Sequence, residues 1–381
     1  MTTRNLERLG VGIIGCGSIA STYLRLAPLF RTIDVRGVAD INPAAAEARA
    51  NEFGVPAMSV DQLLADPSIA IIVNLTIPTA HASVTRSILE AGKHAYSEKP
   101  FVLTLAEGEE LRALCESTGL RIGSAPDTFL GGAHQTARQA IDEGAVGRIA
   151  SGTCHVMSHG MEHWHPNPDF FYQPGAGPVL DLGPYYITNL LQLLGPVRQV
   201  AALTTAASTH RTISSQPRAG ETIPVDTPTT IHALLAFEQG ASITLSASWD
   251  VWGHRHKPME LYGTDGSLYV PDPNFFGGAV QKVDPSGGTT VLSDSDHPFG
   301  VEQEVHGGQP QANYRAAGLA DMVAAIQENR PHRCAFDLAL HAVDVMGSIL
   351  NSGETGTFIT PSTRCERPAP LSADEAKALL A

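Results

Sequence analysis

Leu9-Gly10-Val11-Gly12-Ile13-Ile14-Gly15-Cys16-Gly17-Ser18-Ile19-Ala20 decides how this chain is read. Its first six residues are a short apolar run, the pattern of a buried parallel strand, and Gly15–Ala20 follows it as G-x-G-x-x-A. The spacing gives each small residue its own role. Gly15 makes a tight turn, Gly17 lets backbone approach a pyrophosphate, and Ala20 lets the next helix pack close to the strand. A helix opening near Ser18 and Ile19 then points free N–H groups at the anion. An ordinary tight turn would share the glycines. The second strand, Ile33 to Asp40, separates the two readings, because it ends in an acidic residue twenty positions after Ala20, where a ribose-binding carboxylate belongs.

Composition narrows the class. At 381 residues the chain exceeds one ordinary core, so two domains are expected. With 43% hydrophobic residues, 17% charged residues and a mean hydropathy near zero, it reads as a globular chain. A net charge of −14 with no basic cluster argues against nucleic acid as a partner. No apolar stretch reaches membrane-spanning length and no apolar leader precedes the first strand, so no membrane partner is expected. Five widely spaced cysteines without a C-x-x-C pair suit a reducing compartment. A cytoplasmic protein is expected.

Down to about Ser124, apolar runs alternate with helix-period segments, as in a parallel sheet wrapped by helices. Ser59…Gln62 and Thr104…Glu107 have the capping-box form, and Gly92 and Gly119 close helices. The strand Ala70–Leu75 runs into Thr76-Ile77-Pro78, and a strand at His94–Ser97 runs into Glu98-Lys99-Pro100. Loops at these carboxyl ends face the ligand crevice, which puts Thr76, Pro78, Glu98 and Lys99 on the cofactor side. Beyond Ala125 the pattern changes to long β-type runs at Ile149–Met157, Thr229–Phe237 and Ala241–Trp249. The expected architecture is an α/β parallel sheet over residues 1–125, then an α+β domain over 126–381 with a large, mainly antiparallel open sheet. Residues 204–227 and 272–310 read as long loops, a helix spans Asp337–Asn351, and the tail beyond Pro361 reads as surface-bound.

At Glu98-Lys99-Pro100 the chain resembles the Gfo/Idh/MocA oxidoreductases, the glucose-fructose oxidoreductase and inositol dehydrogenase family. The likeness runs through the Gly-rich turn, Pro78 and His81, AGKHAYSEKP, GAGPVLDLGPYY, YGTDGSL and PDPNFFGG, in that order. It implies a Rossmann domain holding a nicotinamide cofactor, with His81 among the cofactor contacts. It also implies a second domain whose open sheet makes homo-oligomer contacts, and a sugar, inositol or related ring as substrate. Hydride leaves a carbon only as its hydroxyl loses a proton, so the site needs an acid/base group and a fixed positive charge. Lys99 is the candidate for that charge, and Glu98 for its orienting partner or a contact to the cofactor ribose.

The common family pattern D-x-G-x-H reads here Asp181-Leu182-Gly183-Pro184-Tyr185, with Tyr at the His position. Some branches of the family use a Tyr as proton carrier. Tyr185 is therefore the candidate acid, eased by the Lys99 ammonium, with Tyr186 as the second choice. Asp181 would hold a substrate hydroxyl or orient the pair. His159-Gly160-Met161-Glu162-His163 fits the zinc motif H-x-x-E-H, but Gly160 and the prolines at 166, 168 and 174 oppose the helix it needs, so no metal is expected. Trp164 and His165 are read instead as loop groups offered to a sugar ring. Asp40, with no Arg adjoining it, points to NAD rather than NADP. Two rivals stand beside a sugar dehydrogenase: a redox-neutral NAD-dependent glycosidase-like enzyme, and a non-catalytic NAD-binding regulator resembling the galactose-regulon repressor.

Overall fold

The protein is described by a computed structural model over residues 6–292 and 296–381. Residues 1–5, read for a leader, and 293–295, within the second expected loop, lie outside the described residues. The chain divides into two compact units, one of residues 1–132, 295–343 and 368–381, the other of 133–294 and 344–367.

The first unit begins with β1 (Leu9–Ile14), α1 (Ser18–Leu26), β2 (Ile33–Ala39), α2 (Pro43–Phe53), α3 (Val60–Ala65), β3 (Ile71–Asn74), α4 (His81–Glu90), β4 (His94–Ser97), α5 (Leu105–Thr118) and β5 (Ile122–Ser124). The strands form one parallel sheet in the order β2-β1-β3-β4-β5, and the order reverses beside β1, where such sheets open a ligand crevice. Both expected capping boxes are present, Ser59 with Gln62 at α3 and Thr104 with Glu107 at α5, and Gly119 ends α5 at φ +71°. Apolar strand side chains pack under the helices. Ile14, Ile72 and Ile122 from strands meet Leu63, Ile88 and Leu111 from helices in one core.

The second unit contains α6 (Gly132–Asp142), β6 (Ile149–Met157), α7 (Pro178–Leu194), β7 (Val197–Thr205), β8 (His210–Thr212), β9 (Thr222–Pro224), β10 (Thr230–Phe237), β11 (Ser242–Ser248), β12 (Met259–Gly263), β13 (Gly266–Val270), β14 (Val280–Val283) and β15 (Thr289–Leu292). Eight strands form a sheet in the order β15-β14-β13-β12-β6-β11-β10-β7, antiparallel except for β11 beside β6. The apolar face of α7 packs on β6, β10 and β11. The opposite sheet face leaves Leu203 and Leu234 exposed.

Two segments expected as loops are structured. Within 204–227, β8 and β9 pair as a short hairpin, and within 272–310, β14 and β15 extend the large sheet. Their strands are only three or four residues long and lie within segments rich in Ser, Thr, Gly and Pro, so edge pairing rather than a long apolar period defines them.

The chain then returns to the first unit with β16 (Glu304–His306), β17 (Gln309–Gln311), α8 (Ala317–Glu328) and α9 (Phe336–Thr355), whose residues from Asp344 belong to the second unit. The tail is not merely surface-bound: α10 (Ala373–Leu379) buries Ala376 and Leu379, and Leu380 bridges to Phe30. Asp321, fully buried on α8, pairs with Arg330 and Arg333, and Arg333 reaches Glu375 on α10.

Gly15 is the tightest backbone position at the crevice. Its φ is +102°, and a Cβ would stand 2.5 Å from the carbonyl carbon and oxygen of Leu75. Gly15→Ala therefore clashes as well as straining the turn, and urea unfolding should show a loss of roughly 2–4 kcal/mol. Gly54→Ala, at φ +69° but facing open space, should lose about 1 kcal/mol.

Candidate dinucleotide and catalytic site

The turn after β1 is held from both sides: Gly15 N–H donates to Ala39 O (2.9 Å) and Leu75 N–H donates to Ile14 O (2.8 Å). Gly17 is then the N-cap of α1, with no side chain capping it and no acidic residue in the first turn. The N–H groups of Ser18 and Ile19 thus open a helix that offers them to an anion. A Cβ at Gly17 would meet nothing within 4 Å, so the turn borders free space.

Asp40 follows β2. Its carboxylate accepts the N–H of Cys16 (2.8 Å) and of Asn42 (2.8 Å), one on each oxygen, which leaves each oxygen a further lone pair for a ribose hydroxyl. Cys16 is packing rather than chemistry. Burial first, then Asp40, pushes its thiol up to about 11, against the pull of Arg49. Arg49 is a group the sequence reading overlooked. It does not adjoin Asp40 in the chain, yet α2 turns its Nε to Cys16 O (3.3 Å) and its Nη2 to Gly17 O (3.4 Å). Ile41 and Ile77, in the loops after β2 and β3, are 97% and 67% exposed, apolar side chains suited to the faces of a base. The uncapped helix, the open side of Gly17, the Asp40 carboxylate and these isoleucines fit a dinucleotide.

At the exits of β3 and β4, Asn74 is a buried hub. Its Nδ2 donates to His81 O (3.0 Å) and Thr85 Oγ1 (3.1 Å), its Oδ1 accepts the Thr76 hydroxyl (2.6 Å), and its carbonyl accepts Glu98 N–H (2.9 Å). Thr76 is half-buried and Pro78 exposed, both on the crevice side. His81 is 1% exposed, and its ring nitrogens lie 2.7 Å from Pro100 O and 3.0 Å from Thr76 O. It ties the two loops together. Glu98 and Lys99 are half-buried, and Glu98 Oε2 accepts the Lys99 N–H (2.9 Å). Behind them Asp127 is buried, with Oδ2 accepting the N–H of Ala316 and Gly318, each at 3.0 Å. Burial pushes its carboxyl up to about 6, against the pull of the Gly318 N–H and Arg315.

In the second unit, Asp181 and Tyr185 stand one turn apart on α7, both half-buried on one face. Pro178 starts this helix and Pro184 interrupts its hydrogen-bond ladder, leaving the carbonyl of Leu180 without its helical donor. Tyr186 is buried and hydrogen-bonded to Asp272, and burial raises its phenol far above the ordinary range. That commitment separates the two tyrosines: Tyr185 has the accessible position and Tyr186 the structural one. Trp164, 57% exposed, and His165 lie in the loop before α7 and meet edge to face at 5.3 Å. His165 also contacts the edges of Phe170 and Phe171, and its carbonyl accepts the Ser215 hydroxyl (2.6 Å). Glu162 of the H-x-x-E-H stretch is buried, accepting from Arg211 (2.9 Å) and the Tyr172 hydroxyl, while His159 stacks on Trp252. Arg211 also pairs with Asp250, so one buried cation holds two carboxylates from distant loops.

The structure thus gathers Gly15, Gly17, Ser18, Ile19, Asp40, Thr76, Pro78, Glu98 and Lys99 at the carboxyl ends of one parallel sheet. It sets Asp181 and Tyr185 on one helix face of the other unit. A Gly-rich nucleotide turn beside a Glu-Lys-Pro loop, with a polar helix face in a mixed-sheet unit, defines an NAD-binding oxidoreductase of two-unit build. Residues 9–125 match the oxidoreductase family with an NAD-binding Rossmann fold, and residues 134–269 match the GFO/IDH/MocA C-terminal domain. The chain belongs to the Gfo/Idh/MocA family.

Levoglucosan dehydrogenase of Pseudarthrobacter phenanthrenivorans is 26% identical over 337 residues, 77% of this chain and 83% of that one. The dTDP-3,4-didehydro-2,6-dideoxy-alpha-D-glucose 3-reductase of Streptomyces violaceoruber is 25% identical, over 84% of this chain and 87% of the other. An uncharacterized oxidoreductase of Schizosaccharomyces pombe is 32% identical, over 38% of each chain. Among solved structures, an NAD-binding oxidoreductase from Klebsiella pneumoniae superposes with a TM-score of 0.79 at 22% identity, covering 93% of this chain and 99% of that one. Levoglucosan dehydrogenase in complex with NADH and levoglucosan superposes at 0.76, also at 22% identity, covering 94% and 100%.

Two outcomes follow from this geometry. Gly17→Ala should unfold at the wild-type urea concentration yet bind NAD about tenfold more weakly in a fluorescence titration, since its methyl would occupy only the free space beside the turn. For Asp127 the folded pKa exceeds the unfolded one, so its stabilising contribution is complete below the unfolded pKa of 3.8 and is lost as pH rises through about 6. Asp127→Asn escapes that loss. Its stability relative to wild type should improve by about 1–3 kcal/mol between pH 4.5 and pH 7.5, measured by denaturant unfolding at both pH values.

Proposed function

We propose that this protein is an NAD-dependent dehydrogenase or reductase acting on a secondary hydroxyl or ketone of a monosaccharide, glycoside or cyclitol. The observation that carries the proposal is the Glu98-Lys99-Pro100 loop at the carboxyl end of β4, tied by Asn74 and His81 to the loop that leaves β3. Gly15, Gly17, Ser18 and Ile19 would hold the pyrophosphate, and Asp40 a ribose. NAD, when bound, supplies the hydride acceptor.

The chain's own groups supply the rest. Lys99 provides a fixed positive charge for the oxygen that gains electron density, Tyr185 carries the proton, and Asp181 accepts a hydrogen bond from a substrate hydroxyl. Trp164 and His165 offer a flat face and a polar edge to a ring. Asp40 supports a preference for NAD, because a carboxylate repels a 2′-phosphate. Arg49 is already engaged by two carbonyls and by Glu52. The sugar class draws support from levoglucosan dehydrogenase and from the 1,5-anhydro-D-fructose reductase of Ensifer adhaerens, 28% identical over 44% of this chain. The exposed apolar positions of the large sheet support a homo-oligomer. Reduced cysteines and the lack of a membrane-spanning helix among the described residues support a cytoplasmic location.

The test is nicotinamide reduction with NAD or NADP across aldoses, anhydro sugars, glycosides and inositols. One ring class should yield NADH, and NAD should bind tighter than NADP. Tyr185→Phe should lower kcat about 100-fold with unchanged NAD affinity. Near-normal turnover of that variant would remove Tyr185 from the chemistry. Tight NAD binding with no NADH from any sugar would move the assignment to redox-neutral catalysis or to regulation.

A further inference from the structure

Tyr23 lies on α1, two turns beyond the Gly-rich turn, and is only 2% exposed. Its hydroxyl donates to Glu98 Oε1 at 3.0 Å. The other oxygen of that carboxylate accepts the backbone N–H of Lys99 at 2.9 Å. Glu98 is fixed a third time through its own N–H, which donates to Asn74 O at 2.9 Å. The residue after Lys99 is held as well, by His81 on the Pro100 carbonyl (2.7 Å). One helix therefore carries the N–H groups suited to a pyrophosphate at its start and a phenol fastened to the Lys99 loop at its middle.

A phenol is an expensive group to bury for packing alone. Phe would fill the same space without an O–H to satisfy. The surroundings are also charged: burial first, then Glu98 and Asp127, raise the pKa of the Tyr23 hydroxyl well above the ordinary phenol value, against the pull of Arg315. Tyr23 is thus locked as a hydrogen-bond donor at every working pH. A neutral donor to a carboxylate makes one of the stronger hydrogen bonds available.

We infer that Tyr23 is a positioning residue: through Glu98 it sets where the Lys99 backbone, and with it the ammonium, stands, and so links the cofactor-binding helix to the charge at the reacting oxygen. The inference rests on the role given to Lys99 above. Tyr23 is buried beneath the crevice rather than part of its surface. It acts only through the carboxylate.

Three variants test it: Tyr23→Phe, Glu98→Gln and the double substitution. Lys99 is one of five lysines in the chain, so trinitrobenzenesulfonate labelling can be read peptide by peptide on the protein without substrate. Tyr23→Phe should label Lys99 about threefold faster, as loosening of one hydrogen bond would allow, while Lys257 and Lys282 label at the wild-type rate. In turnover, Tyr23→Phe should lower kcat about tenfold with KM for NAD within about twofold, the signature of a lost interaction that favours the transition state. On a Glu98→Gln background the same change should add less than about twofold, because the path through the carboxylate is already weakened.

Unchanged Lys99 labelling in a Tyr23→Phe protein that melts like wild type would overturn the inference. So would full additivity of the two substitutions in kcat, since that places Tyr23 on a path independent of Glu98. The labelling arm needs no sugar. If wild type oxidises no substrate at all, the proposed activity falls while labelling still decides what Tyr23 does.

Discussion

At Gly15 two chain segments cross with no room for a methyl group. The strand leaving β1 passes the Leu75–Thr76 backbone so closely that any Cβ would lie well inside contact distance of the carbonyl. That crossing brings the exits of β1, β2 and β3 together, and through Ala39 and Ile14 it locks the turn by backbone bonds on both sides. The direction of α1, the open flank of Gly17 and the reach of Asp40 to Cys16 all descend from it. Once α1 is aimed, the position of Tyr23 against Glu98 is aimed with it. A steric limit at one glycine therefore propagates to the loop that carries Lys99.

The same economy governs the buried charges. Asp321 and Arg211 are each buried ions that would be costly alone, and each is answered: Asp321 by Arg330 and Arg333 just beyond its own helix, with Arg333 reaching on to Glu375 in the tail, and Arg211 by Glu162 and Asp250 from distant loops. Such pairs add little net stability over an apolar replacement, but an unanswered member would cost about 3–5 kcal/mol. Their effect is to specify which loops meet. In the second unit Arg211 gathers the Glu162 loop, the hairpin of β8 and β9, and the end of β11.

Much of the fold was legible because local signals and tertiary needs agreed. β1, β4 and β6 span the residues read for them as strands, and both capping boxes read from four-residue patterns hold their helices. The parts that were not legible depend on partners. β14 and β15 have little apolar period and exist as strands because β13 offers an edge. The helix α10 is short, and its burial depends on docking beside α8. At the site, Gly15, Gly17, Asp40 and Lys99 stood out because their chemistry is tied to a spacing. Arg49 and Tyr23 did not, since the first reaches the Gly-rich turn by the pitch of α2 and the second meets Glu98 across seventy-five residues. The preference between Tyr185 and Tyr186 needed the structure as well, because the burial of Tyr186 and its bond to Asp272 are not visible in two adjacent tyrosines.

The nucleotide-binding unit is not contiguous in the chain. Ser124 N–H donates to Cys334 O (3.0 Å), Arg31 N–H donates to Leu379 O (3.0 Å), and Ala381 N–H donates to Leu29 O (2.9 Å). During synthesis the ribosome therefore releases β1 to β5 long before the residues that complete them, with the whole second unit made in between. The nascent N-terminal half must wait, with part of its apolar surface uncovered, for the segments around Cys334 and Leu379. Dividing the gene at residue 132 would for the same reason yield an incomplete domain, and removing 133–294 alone would strand residues 344–367, which belong to the unit that the cut takes away.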